Sequence, residues 1–169
     1  AGAYKSSLMD VVESVSVMGF DGVLEEVAGE NIHADYRSCI FFQNKIALSA
    51  VLRAYSGAPE QIKERMTEMR EVRLKTQTQS PSAGCAFKNP PGYSAGRLID
   101  SLGLKGFSVG GAQVSDRHAN FLINKNNATS RDILELIQII QERVLAECGV
   151  NLETEVMIVG EDAGKQIGE

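Results

Sequence analysis

A surplus of positive charge is missing from this sequence. Lys and Arg number 17 against 22 Asp and Glu, a formal net charge of −5. Nucleic-acid binding needs a basic surplus or stripe, so no nucleic-acid partner is expected. Metal-ligating residues are scarce as well. Cys39, Cys85 and Cys148 have no metal-ligand spacing, and an odd count makes a poor disulfide framework. The two histidines, His33 and His118, are far apart, so no metal site is expected. Long apolar runs are also lacking. Nothing approaches the ~18 residues of a membrane span. The opening Ala1-Gly2-Ala3-Tyr4-Lys5 has neither the charged head nor the apolar run of a signal peptide. These absences predict a cytoplasmic chain with reduced thiols and no membrane partner.

What is present is ordinary in balance. Hydrophobic residues make up 43% and charged residues 23% of 169, enough for one domain or two small ones. Val11, Val12, Val15, Val17 and Met18 form a β-branched-rich run. Asp21-Gly22 marks a turn, and Val23-Leu24 with Val27 complete an expected hairpin. A strand follows over roughly 45–54. Pro59 suits a first helical turn, and Ile62, Met66 and Met69 recur at helical spacing, predicting an amphipathic helix over about 60–73.

Residues 75–84 are polar and turn-rich, the best domain boundary in the chain. Ser94 can cap a short helix to about Leu102, and Phe121-Leu122-Ile123 is a strand core. Thr129-Ser130-Arg131-Asp132 resembles a capping box with Asp in place of Glu. It opens a helix with Ile133, Ile137, Ile140, Val144 and Cys148 on one face, closed by Gly149. Leu152 to Val159 reads as a final strand with Glu155 in its middle. The fold class is therefore α+β.

The densest special stretch is Gly84-Cys85-Ala86-Phe87-Lys88-Asn89-Pro90-Pro91-Gly92. It offers a thiol, an ammonium suited to a phosphate or carboxylate, and an amide that both donates and accepts. The residues alone leave several readings open: a proline-rich loop around a structural Cys, a ligand loop, or a Cys85–His118 thiol–imidazole pair as in a hydrolase. Arg37, after Tyr36, and Glu155 stand apart from it in sequence.

A resemblance joins them. Pro81-Ser82-Ala83-Gly84-Cys85-Ala86-Phe87-Lys88-Asn89-Pro90 resembles a signature of the UDP-N-acetylenolpyruvoylglucosamine reductases, the MurB family. The likeness extends through Ser94-Ala95-Gly96-Arg97-Leu98-Ile99-Asp100, Leu104-Lys105-Gly106 and Val109-Gly110-Gly111-Ala112-Gln113-Val114-Ser115. It continues in His118-Ala119-Asn120-Phe121 and Leu152-Glu153-Thr154-Glu155-Val156, with Ala1-Gly2-Ala3-Tyr4 and Tyr36-Arg37-Ser38 ahead in the same order.

The resemblance implies an oxidoreductase of peptidoglycan synthesis that reduces UDP-N-acetylglucosamine enolpyruvate to UDP-N-acetylmuramate, using NADPH and a bound FAD. It also implies roles. Arg37 and Glu155 match the residues that bind and polarise the enolpyruvyl carboxylate. Cys85 stands where the family has a proton-donating Ser. Lys88, Asn89, His118, Tyr36 and Lys75 match substrate-side positions. A thiol, with its ordinary pKa of ~8.5, is intrinsically a better acid than an alcohol, so Cys85 is expected to remain a competent donor. Met157 replaces an Arg common in relatives, and the short interval from Arg37 to Cys85 resembles the type II branch without an inserted Tyr loop.

The family architecture implied is a vanillyl-alcohol-oxidase-type flavin domain followed by an α+β substrate-binding domain. Residues 1–77 resemble the C-terminal half of the former and 78–169 the latter. The main FAD loops are expected to be absent from this chain. The isolated chain then reads either as part of a reductase or as an inactive substrate-binding fragment with little FAD affinity.

Overall fold

The computed structural model describes residues 2, 3 and 6–160. Ala1 and Tyr4 of the opening motif lie outside them. The chain divides into two compact units, Ala1–Ile62 and Lys63–Glu169.

In the first unit, β1 (Gly2–Ala3) and β2 (Ser6–Ser7) form a short antiparallel pair. A single 3-10 turn over Leu8–Asp10 follows, in which the Asp10 carboxylate accepts from the Ser7 N–H. The main sheet has β3 (Val12–Gly19) at its centre, flanked antiparallel by β4 (Leu24–Ala28) and β5 (Lys45–Leu52). The expected hairpin is present, with Asp21 Oδ1 accepting from the Val23 N–H at 3.1 Å. Period-two alternation puts Val15 and Val17 on one face of β3, where they are buried with Ile32. Ser14 and Ser16 point the other way. β5 is exposed along nearly its whole length, including Ile46, Leu48, Val51 and Leu52.

α1 (Pro59–Thr76) is longer than the apolar spacing predicts. Its stripe does not face a core: Ile62 and Met66 are exposed, and none of its described residues is buried. The helix carries charge around most of its circumference, which fits this exposure.

The second unit is built around a four-stranded antiparallel sheet in the order β6-β9-β8-β7. These strands are β6 (Ser82–Cys85), β7 (Ser108–Val109), β8 (Ala112–Val114) and β9 (Phe121–Asn124). α2 (Ala95–Ser101) starts at the Ser94 cap, and α3 (Ser130–Cys148) buries Leu136, Ile137, Ile140 and Val144. The Asp-for-Glu capping box forms: Thr129 Oγ1 accepts from the Asp132 N–H at 3.1 Å, and Asp132 Oδ2 from the Thr129 N–H at 2.9 Å. Gly149 closes the helix in the left-handed region at φ 67°. Phe87, Ile99, Leu104, Leu136, Ile140 and Leu152 are the large residues at the centre of this unit's core.

Two expectations need correction. Ser82–Cys85, inside the turn-rich stretch and its approach to the thiol, is a strand paired with β9. Conversely, Leu152–Val159 is not a strand, and Glu155 is not mid-strand. Only Thr154 makes a bridge, to Phe87. Lys88 N–H donates to the Glu153 carbonyl at 2.9 Å and Glu155 N–H to the Ala86 carbonyl at 2.7 Å. Pairing cannot extend one way because Pro90 and Pro91 have no N–H. It cannot extend the other way because Gly84, at φ 87°, leaves the extended region.

Candidate functional site

The second unit gathers four of the eight predicted site residues, Cys85, Lys88, Asn89 and Glu155, onto one backbone crossing. Cys85 ends β6, Ala86 and Phe87 are buried, and Lys88 and Asn89 emerge before the prolines. The 153–156 segment lies alongside, so the bond from Glu155 to the Ala86 carbonyl sets Glu155 beside the residue that follows Cys85. Both Cys85 and Glu155 are half-buried. Lys88 Nζ reaches Glu153 Oε2 at 3.1 Å, a pair whose members are 40% and 71% exposed. At that exposure the bridge contributes little, about 0–1 kcal/mol, and a ligand phosphate can displace Glu153.

Asn89 Oδ1 accepts from the Ala95 N–H at 3.0 Å, which ties the loop to the start of α2. His118 packs its ring edge-to-face on Phe121, with centroids 4.8 Å apart. Its Nδ1 accepts from the Asn120 N–H at 3.2 Å, so the neutral ring carries its proton on Nε2. Burial holds the His118 pKa below its ordinary value of 6.5, and the positive charge of Lys105 pushes the same way. Gly96 gives this ring room, because a Cβ there would lie 3.2 Å from His118 Cε1.

Arg37 belongs to the first unit. Asp35 and Ser38 exchange two backbone hydrogen bonds, 2.8 and 3.2 Å, closing a tight turn with Tyr36 and Arg37 at its tip. Arg37 has φ 57°, a strained conformation for a residue with a side chain. Its guanidinium lies 4.8 Å from the Tyr36 ring centroid. Lys75, in the last turn of α1, is 3.8 Å from Glu71 and highly exposed.

Residues that sequence reasoning passed over carry the architecture. Asn120, 3% exposed, binds the Phe87 peptide through both ends of its side-chain amide. Ser115 Oγ accepts from the Arg117 and His118 N–H groups at 3.2 and 3.4 Å. Arg117 Nη1 donates to the Leu74 carbonyl near the end of α1. A buried polar residue just before the apolar Phe121-Leu122-Ile123 run was the available signal for Asn120.

An apolar cleft of about 280 Å3 lies between β6 and α3, lined by Ser82, Gly84, Ala86, Leu122, Ile137 and Val156 among others. None of the eight predicted site residues lines it. Its apolar walls do not suit a sugar nucleotide.

The chain was compared with known proteins. A family model described as UDP-N-acetylenolpyruvoylglucosamine reductase, C-terminal domain, matches residues 75–159, half of the chain. The chain belongs to the UDP-N-acetylenolpyruvoylglucosamine reductase family. A reductase of that name from Clostridioides difficile is 43% identical over 164 residues, covering 96% of this chain and 54% of the relative. One from Caldanaerobacter subterraneus is 44% identical over 163 residues, with 95% and 54% covered. The crystal structure of the MurB reductase of Thermus caldophilus superposes with a TM-score of 0.79 at 40% identity, covering 92% of this chain and 55% of that one. The chain thus spans about half the length of the MurB relatives it matches.

Proposed function

We propose that this chain forms the substrate-side part of a reductase that converts UDP-N-acetylglucosamine enolpyruvate to UDP-N-acetylmuramate in bacterial peptidoglycan synthesis. In this reading residues 1–77 are the C-terminal half of a vanillyl-alcohol-oxidase-type flavin domain. Residues 78–169 are the substrate-binding domain. Family membership supports the reading, and the observation that carries it is the crossing that places Glu155 beside the Cys85 segment.

In this reading FAD, reduced by NADPH, would supply the hydride when bound in the whole enzyme. The described residues do not fit its diphosphate by themselves. The one Gly-Gly turn among them is already engaged, with Gly111 N–H donating to Asp132 Oδ2 at 3.1 Å.

The chain's own residues account for the rest. Reduction of the enol ether builds negative charge toward its carboxylate. Arg37 neutralises that charge in bidentate fashion, and Glu155 helps hold and polarise the same group. The adjacent carbon then takes a proton, and Cys85 Sγ–H delivers it. Lys88 exchanges its ion pair with Glu153 for the substrate, and with Asn89 and the Nε2–H of His118 it serves the sugar-nucleotide part. Tyr36 supports Arg37, and Lys75 lies at the margin.

The test is a pH–rate profile. A thiol donor fails as it ionises, so kcat should fall along an alkaline limb. Cys85→Ser should remove that limb, and Cys85→Ala should lower kcat by about 10²–10⁴-fold. An alkaline limb unchanged in Cys85→Ser would sink the assignment.

A second reading rests on the coverage of the relatives: the chain binds the nucleotide sugar but little FAD, and turns nothing over. Purification separates the two. A stoichiometric flavin absorbance with NADPH-dependent turnover supports the reductase, and a colourless protein that binds the sugar nucleotide supports the fragment.

A further inference from the structure

One side chain fastens the site segment from behind. The Ala86 carbonyl and the Lys88 N–H turn toward the 153–156 segment. Phe87 therefore presents its N–H and C=O to the opposite side, where β9 has already ended its pairing at Cys85 and Phe121. Phe87 is 1% exposed, so these groups cannot turn to water. An unmade hydrogen bond there is strongly unfavourable.

Asn120 fills both vacancies. Its Oδ1 accepts from the Phe87 N–H at 3.0 Å and its Nδ2 donates to the Phe87 carbonyl at 2.8 Å. The side-chain amide acts as one peptide unit of a strand that is not there. Its backbone carbonyl also accepts from the Ala86 N–H at 2.8 Å, and its N–H donates to His118 Nδ1. Ala86, in turn, accepts from Glu155. Asn120 thus bonds His118 directly, reaches Glu155 through Ala86, and holds Ala86 and Phe87, the chain neighbours of Cys85 and Lys88.

We infer that Asn120 is a positioning residue of the reductase site, setting the Cys85–Lys88 backbone and through it the placement of the thiol against Glu155. This rests on the proposed roles of Cys85 and Glu155, so the test has one arm that does not. Asn120→Asp is the informative change. The ionised carboxylate accepts from Phe87 N–H but faces the Phe87 carbonyl without a proton to donate. The protonated acid donates again. A buried carboxyl titrates above its ordinary range, so rescue is expected on acidification. Asn120→Ala cannot be rescued.

In the first arm, 4,4'-dithiodipyridine labels the 169-residue chain, and peptide mass mapping follows Cys85, Cys39 and Cys148 separately. Cys85 in Asn120→Asp should react about tenfold faster than wild type at pH 8 through local opening, and return to the wild-type rate below about pH 5. Cys39 and Cys148 should not change. Asn120→Ala should stay fast throughout. In the second arm, turnover with FAD, NADPH and the enolpyruvyl sugar nucleotide should lose about 10²-fold in kcat at pH 8, recovering on acidification in Asn120→Asp alone.

A wild-type Cys85 profile in Asn120→Asp overturns the inference, as does an equal acceleration at all three cysteines. Absence of turnover in the wild-type chain, with the Cys85-specific effect intact, selects the inactive-fragment reading and leaves Asn120 as the fastener of this loop.

Discussion

Arg37 has a conformation that costs free energy, in a turn that backbone groups of its neighbours close. At φ 57° it occupies the left-handed region, which costs about 1–2 kcal/mol for a residue with a Cβ. The turn itself is closed by Asp35 and Ser38 backbone groups. Glycine would satisfy that turn better, offset by the entropy that glycine loses on folding. Arg37→Gly is therefore expected to leave thermal stability within about 1 kcal/mol of wild type, or above it. The same change should reduce turnover by about 10²-fold or more through loss of a carboxylate-binding cation. A melting curve and a rate measurement on one variant check both. Equal loss of both would make Arg37 a folding residue. The sequence marks Arg37 and Cys85 by motif, whereas Asn120 lies inside a motif with no local sign of its role. Its importance comes from the Phe87 peptide, 33 residues away, and no local pattern reports which backbone groups a fold leaves unpaired.

At the scale of elements, the start of α3 does two jobs with one carboxylate. Asp132 completes the capping box with Thr129 and also accepts from Gly111 N–H, tying the β7–β8 turn to the helix. The turn sits so close that a Cβ on Gly111 would collide with the Asn126 carbonyl. Thr129→Ala is expected to cost about 1 kcal/mol, read from chemical denaturation. Asp132 gives a pH signature. Hydrogen bonds from Thr129, then from Gly111, hold its pKa below the ordinary 3.8. A depressed carboxyl contributes stability that is present above pH 3.8 and lost as pH falls through its lower folded value. Asp132→Asn should remove that part of the acid slope. An unchanged slope below pH 4 would show that the contact does not matter. Most elements were legible because α3 and β3 carry strong periods. The 152–159 segment has the apolar pattern of a strand and is not one, because pairing depends on Gly84 and two prolines at distant positions.

At the scale of the molecule, the two units differ in what they bury. The described core of the first is Val15, Val17 and Ile32, and that of the second runs from Ala86 to Leu152 with fourteen buried residues. Hydrogen exchange should therefore show slower amides in Phe121–Asn124 and α3 than in Val12–Gly19. Equal protection would contradict this. The exposed apolar residues of β5 add a tendency to associate through its edge.

The sequence by itself determined the family, the helical and strand periods, the caps, and the residue types available for chemistry, because these depend on neighbours within a turn or a pleat. Only the tertiary structure decided which backbone groups remain unpaired. It also decided that a single buried amide satisfies Phe87, and that Glu155 lies beside the Cys85 segment. Those outcomes depend on hydrogen bonds between residues separated by 33 positions or more, and a linear pattern carries no record of them.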